Sequence, residues 1–271
     1  MEPLTTCLLR KLNNQRKEYV FVLYITFSFL AIKKGKLNMG YAALTKEGYK
    51  KRIKTLTKAV KDATRNVDNI HVKLQKGNSK TGPNCWTVSL MAVLDCSNSS
   101  KCRYECYDLK SDLFMPAVVK DRANNSAIHK ADPKRYWSEI DAQVKANYVR
   151  ELRINVGGDL TDEDFAYVAK LGRQNKNTMI LFFTKNYKGI NAFLEHHRFP
   201  KNVRPIMSRW EGVPMDNPYN LPESHVLYAD GRTTAPMYGA TYCGGNCSEC
   251  AFKGNGCWNL KRGESVVFKA H

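Results

Sequence analysis

The chain has 271 residues, of which 43 are Lys or Arg, 25 are Asp or Glu and nine are Cys. That length supports a core of its own and excludes a mini-protein that needs disulfides to fold. The net charge of +18 favours nucleic acid, an acidic partner or an anionic membrane surface, and is silent on the fold.

Residues 1–38 read as an N-terminal extension. Within it, Tyr19–Ile32 (YVFVLYITFSFLAI) is free of charge but shorter than the roughly 20 residues a membrane span needs. Its basic flanks are signal-anchor-like, yet KKGK follows where a small-x-small cleavage site would stand. The segment also fits a non-native origin, since Lys34-Gly35 could be encoded by a purine-rich ribosome-binding sequence ahead of a true start at Met39. No stable membrane span is expected, and without these residues 36 basic against 23 acidic remain.

Residues 39–69 form a basic helical segment. Leu44, Ile53, Leu56 and Val60 mark one apolar face, and Lys50, Lys51, Arg52, Lys54, Lys58 and Lys61 fill much of the remainder. Such a face is either solvated on a packing helix or in contact with phosphate. Lys50, Lys51, Arg52 and Lys54 are the candidates for the second role. In the next stretch, GNSKTGPN, Gly77 and Gly82 have the gap of a phosphate-binding loop, but Pro83 stands where its Lys should be, which excludes that motif.

Residues 70–229 alternate strand and helix signals. Strands are expected over 86–94, 149–156, 178–184, 203–208 and 225–228. Helices are expected over 111–129 with Pro116 interrupting, after Asp132-Pro133, over 161–173 and over 188–196. The alternation predicts βα units around a parallel sheet. In such sheets sites form beyond the carboxyl ends of strands, where the Cys96 loop, Gly157-Gly158-Asp159, Thr184-Lys185 and Ser208-Arg209-Trp210 all fall. Residues 230–271 form a Cys-rich tail whose one evident strand is 265–269.

Eight of the nine cysteines lie in two groups, Cys85, Cys96, Cys102, Cys106 and Cys243, Cys247, Cys250, Cys257. Clustering in a chain with its own core points to metal binding in a reducing cytoplasm rather than to a disulfide framework. Cys96, Cys102 and Cys106 closely follow a strand, with Cys85 well upstream. Three thiolates on a four-iron cluster leave one iron open, so this group reads as reactive. The four tail cysteines read as a closed iron–sulfur centre, with zinc as the rival. His71, His129 and His225 have no Cys or acidic neighbour in sequence, and His196-His197 reads as surface at a helix end.

The Cys loop after the first strand and the Gly-Gly-acid turn after the second resemble the core of radical S-adenosylmethionine enzymes. That resemblance implies that Gly157, Gly158 and Asp159 contact the cosubstrate, with Asp in place of the usual Glu. Lys185 and Arg209 would engage an anionic group, and a reductant protein would be a partner. The family's Cys-x3-Cys-x2-Cys does not follow the first strand; the spacing occurs instead at Cys243, Cys247 and Cys250. From about Ile70 onward the chain is similar to phage and plasmid proteins of the gene-product-eighty-eight type. The shared features are Cys106-Tyr107, Arg122 and Asn125, Arg153 with Asp159, Phe183-Thr184-Lys185 and a terminal Cys257-Trp258.

The expected architecture is therefore an incomplete parallel (βα) barrel-like α/β domain, entered through a basic helix and closed by the Cys-rich segment. The expected cofactors are one or two 4Fe–4S clusters with S-adenosylmethionine. The alternative is a zinc-stapled, non-catalytic nucleic-acid-binding protein of a mobile element.

Overall fold

The computed structural model describes residues 45–78, 81–96, 102–111, 115–236 and 239–270. The extension 1–38, with its apolar run Tyr19–Ile32 and the start proposed at Met39, lies outside the described residues.

Helix α1 (Lys46–Thr64) begins where the Thr45 hydroxyl accepts from the Gly48 amide at 3.0 Å. Arg52, Leu56, Val60 and Ala63 recur at helical spacing on its buried face. They pack on Met91, Ala92, Leu109 and on Ala123 and Ala127 of α3 (Pro116–Ala131). Between these helices lie β1 (Gln75–Asn78), β2 (Gly82–Val88) and the short helix α2 (Tyr107–Ser111). The rest of the core is α4 (Pro133–Ala146), β3 (Glu151–Ile154), α5 (Asp164–Gln174), β4 (Met179–Thr184), α6 (Tyr187–His196), β5 (Val203–Ser208) and β6 (Glu223–Leu227). The tail adds β7 (Ala240–Tyr242), α7 (Cys247–Phe252) and β8 (Ser265–Lys269).

The strands form one eight-stranded sheet in the order β1-β2-β3-β4-β5-β6-β8-β7. Among the described strands β1 and β2 pair antiparallel and the others pair parallel, with one isolated antiparallel bridge between Leu227 and Thr233. The parallel α/β expectation holds. Among the described residues the sheet does not close, and β1 and β7 are its two edges, so the expected barrel is replaced by an open sheet. The tail is not appended to this sheet but completes it, because β8 inserts between β6 and β7.

Alternation along the strands separates two faces. Leu152, Ile154, Ile180, Phe182, Val203 and Met207 face helices α3 to α6, whose Ile128, Trp137, Ile140, Phe165, Val168 and Ile190 are buried against them. On the other face Cys85, Leu181 and Ile206 meet the tail, where Trp258 is 2% exposed and Cys247, Cys250 and Cys257 pack beside it. Removing a Trp so deeply enclosed would cost about 3–5 kcal/mol.

Two predicted elements differ. The strand expected over 86–94 ends at Val88, because the chain beyond is captured by side chains of α3 instead of a neighbouring strand. The Asn125 Nδ2 donates to Ser89 O at 3.0 Å, and the Ser126 hydroxyl accepts from the Met91 amide at 2.9 Å. The helix expected over 111–129 starts at Pro116, which occupies the first helical position, where its missing N–H is not needed. Among the described residues no helix is long and apolar enough to cross a membrane.

Candidate functional site

Beyond the carboxyl end of β2, Cys96, Cys102 and Cys106 lie within electrostatic reach of one another. Burial pushes the Cys96 thiol up, and Asp159, Cys106 and Cys102 add to it. The Cys102 thiol is also raised by burial, against the pull of Lys185. Burial raises Cys106 to about 11, with Asp108 adding and the Leu109 and Asp108 amides opposing at the start of α2. Lys185 and Asp159 therefore stand within electrostatic reach of these thiols.

The Gly157-Gly158-Asp159 turn joins this site, but its glycines answer to packing. A Cβ on Gly157 would run into Asp108 Oδ2 and Arg122 Nη1, which form a buried ion pair at 2.5 Å. Gly158 has φ +80° and would place a Cβ 2.7 Å from Leu90 Cβ. Asp159 accepts from the Leu160 amide (2.8 Å), the Thr184 hydroxyl (2.7 Å) and the Lys185 amide (2.8 Å). Burial nonetheless raises its carboxyl above the ordinary range.

The other two candidates diverge. The Lys185 ammonium lies 3.1 Å from Ser208 Oγ and 5.5 Å from the Trp210 ring centroid. Arg209 is engaged by Glu223, Nε to Oε2 at 2.9 Å, at the rim of an open cleft of about 690 Å³ that is also lined by Trp210, Thr234 and Ser265. Burial alone would raise Glu223, but hydrogen bonds from Arg209 and Asn217 hold it below its usual value. His225, 1% exposed in the cleft wall, is lowered by burial against the pull of Glu223. At the end of β3, Asn155 is 5% exposed with φ +54°, and neither atom of its amide has a hydrogen-bond partner among the described residues.

The second thiol group occupies the face of the sheet opposite α3 to α6, where α7 carries Cys247 and Cys250. Ser248, the second residue of α7, clamps it to β2: its hydroxyl accepts from the Asn84 (3.1 Å) and Cys85 (2.9 Å) amides and donates to Thr81 O at 3.0 Å. Trp258 Nε1 donates to Cys247 O at 2.9 Å, and Arg204 Nε donates to Trp258 O at 2.8 Å. Burial raises Cys257 to about 12, with Cys243, Cys247 and Cys250 adding. These four thiols act on one another's charge, as do the three of the strand-end loop. Among the described residues, however, no three His, Cys, Asp or Glu side chains are placed to hold a single metal ion.

Cys85 corrects the grouping drawn from sequence order. It is wholly buried in one cluster with Trp258, against which Cys247, Cys250 and Cys257 pack, so it belongs with the tail and not with the loop. Arg153 was legible only as part of a family resemblance. In the fold its Nη1 is 3.7 Å from Cys247 Sγ, and its guanidinium lies 4.9 Å from the Phe183 ring centroid. Its one advance signal is a cation inside a strand, at a position where alternation turns it away from the helices.

On the basic helix, Lys50, Lys51 and Lys54 are exposed, whereas Arg52 lies on the buried face of α1. The histidines without sequence neighbours acquire them in space: His129 Nε2 lies 2.8 Å from Asp164 Oδ1, and His71 Nδ1 lies 3.5 Å from Glu139.

One comparison identifies a relationship: the family model described as gene product 88 matches residues 43–237. No curated protein and no solved structure matches the chain.

Proposed function

The chain belongs to the gene product 88 family, a phage-type family, and on that premise we propose that it is an iron–sulfur protein that works with S-adenosylmethionine. What supports this reading is that Cys96, Cys102 and Cys106 lie within electrostatic reach of one another beyond the carboxyl end of β2, with Asp159 and Lys185 acting on the same thiols.

The arrangement of the thiols supports a cluster over zinc. Zinc draws its ligands to about 2.0–2.3 Å from one centre. A four-iron cluster places its own iron and sulfide atoms between the thiolates, and the tail has one Cys-x2-Cys, at Cys247 and Cys250, without the second that a usual zinc ribbon carries. Cys96, Cys102 and Cys106 would hold one such centre, and Cys243, Cys247, Cys250 and Cys257 a second. When bound, a four-iron cluster with three thiolates supplies one electron at its open iron, received from a reductant protein.

The chain's own groups would orient the cosubstrate. A carboxylate offers about four acceptor sites. Asp159 uses three of them internally and keeps one for an ammonium donor. Lys185 supplies a cation for a carboxylate, held over Trp210 by cation–π attraction. Arg209 contributes through the cleft beside it, where Glu223 sets its orientation.

Anaerobic reconstitution with iron and sulfide tests the reading. The expected result is about one or two four-iron clusters per chain. Replacing Cys96, Cys102 and Cys106 by Ser should remove one cluster's iron without unfolding the protein. Stoichiometric zinc with no iron uptake would end the proposal and favour the zinc-stapled alternative, in which Lys50, Lys51 and Lys54 contact nucleic acid.

A further inference from the structure

We propose that the cleft beside β5 and β6 is a second catalytic site, built to hydrolyse carboxylic esters. In it Thr234 is the nucleophile, His225 its general base and Glu223 the group that positions the base. The step needs neither iron nor cosubstrate, so it goes beyond the reading above and shares only the Arg209 cleft with it. All three residues line that cleft, and its volume of about 690 Å³ suits an ester of modest size.

The strand delivers two of the groups. Glu223 and His225 are two residues apart on β6 and so project from the same side of it. Thr234 arrives from the loop after β6, which folds back where Thr233 bridges Leu227 antiparallel. The two nitrogens of His225 then meet different partners. Nδ1 lies 3.0 Å from Thr234 Oγ1, while Nε2 lies 3.3 Å from Ser265 Oγ and 3.7 Å from Glu223 Oε2. With the ring proton on Nε2, on the carboxylate side, Nδ1 is left to accept the proton of the Thr234 hydroxyl. Exposure follows the same order: the ring is 1% exposed, whereas Thr234 is half-buried and can meet a ligand. Glu223 is fixed in turn by Arg209 Nε at 2.9 Å and by Asn217 Nδ2, which donates to Oε1 at 3.1 Å. A hydroxyl bonded to a base that a third group orients is the arrangement that activates a nucleophile.

In the reaction, Thr234 Oγ1 bonds to the ester's carbonyl carbon as its proton passes to His225 Nδ1. The bond from that carbon to the alcohol oxygen then breaks, and the alcohol leaves with the proton. Water repeats the sequence on the acyl-threonine, releasing the acid and restoring the hydroxyl. Arg209 engages Glu223 through Nε and Nη2, at 2.9 and 3.4 Å, and its Nη1 is the donor for the carbonyl oxygen as that atom turns negative. Val213, Pro214 and Pro236 give the cleft an apolar wall for an acyl chain. Burial lowers His225, against the pull of Glu223 and with the push of Arg209, which keeps the ring neutral and able to take a proton near neutral pH.

The test uses the full chain, purified without added iron, with p-nitrophenyl butyrate as the substrate probe and a fluorophosphonate as a trap. Hydrolysis should begin with an acyl-enzyme burst, and the trap should place about one label per chain on Thr234, located by mass spectrometry of the digested protein. Thr234→Val should lose about 100-fold or more in kcat/KM together with the label, whereas Thr234→Ser should keep both. His225→Gln should lose a similar factor; if that buried position does not tolerate Gln, as circular dichroism would show, the half-buried Thr234 variants carry the test. In the parent, kcat/KM should rise with pH through a value below about 6.5, and Glu223→Gln should lower kcat and move that rise to lower pH. Label on Ser265 instead of Thr234, or a Thr234→Val chain as active as the parent, would overturn the assignment. A folded parent showing neither turnover nor labelling would overturn the site itself and leave His225 a buried ring satisfied by two hydroxyls.

Discussion

Gly157 shows how one residue can carry two readings. As part of Gly157-Gly158-Asp159 it matches a cosubstrate-binding turn, yet the absence of its side chain is required by the Asp108–Arg122 ion pair lying against its Cα. Gly157→Ala must displace or break that pair, and splitting a buried ion pair costs about 3–5 kcal/mol. Urea unfolding should show a loss of this size; a loss below about 1 kcal/mol would mean the pair relaxes freely. Arg122 and Asn125, noticed in sequence only through family resemblance, are explained by the same neighbourhood. One closes the ion pair. The other ties Lys73 to Ser89, accepting from the Lys73 amide at 2.8 Å and donating to Ser89 O at 3.0 Å.

At the scale of elements, the tail depends on a single hydroxyl. Ser248 satisfies two β2 amides and one carbonyl, so Ser248→Ala leaves buried donors unmet at about 1–3 kcal/mol each. Hydrogen exchange should rise across α7 and across Asn84 and Cys85 together, while α3 to α6 keep their protection; uniform exchange throughout would show that the clamp is dispensable. The regular elements were largely legible in advance. The strand 203–208 and the strand 265–269 agree with observation to the residue: Val203, Ile206 and Met207 in the first and Val266, Val267 and Phe268 in the second lie between polar or charged flanks. β1 and β7 escaped because Gln75–Asn78 and Ala240–Tyr242 carry no apolar pattern of their own and exist as edges of an already formed sheet.

For the whole molecule, stability should fall on the acid side in two stages. Burial lowers the folded pKa of His225, so below its unfolded value, about 6.5, the unfolded chain takes up a proton that the folded chain refuses. That contribution is present above about pH 6.5 and is lost as pH falls towards the folded value. Asp164 acts lower. Burial opposes its charged form, but hydrogen bonds from His129, Thr161 and Trp137 outweigh burial and hold its pKa below the ordinary value. Its contribution is present above about pH 3.9 and is lost as pH falls through the depressed value. Unfolding free energy measured against pH should lose the first stage in His225→Gln and the second in Asp164→Asn; curves parallel to wild type would refute both assignments.

The sequence by itself determined the parallel α/β class, the collection of polar loops at strand ends and the existence of two thiol groups, since these follow from periodicity and local spacing. Only the tertiary structure decided which sulfurs meet. Cys85 precedes the loop cysteines in the chain, but β2 runs beneath the tail, and Ser248 fastens Cys247 to it. It likewise decided that the sheet stays open with β8 inserted between β6 and β7, that Arg52 is buried, and that Arg153 reaches a sulfur of the tail. Contacts between residues far apart in sequence have no local signature. They depend on strand order and on which face of each strand is covered, and those are settled only when the whole core packs.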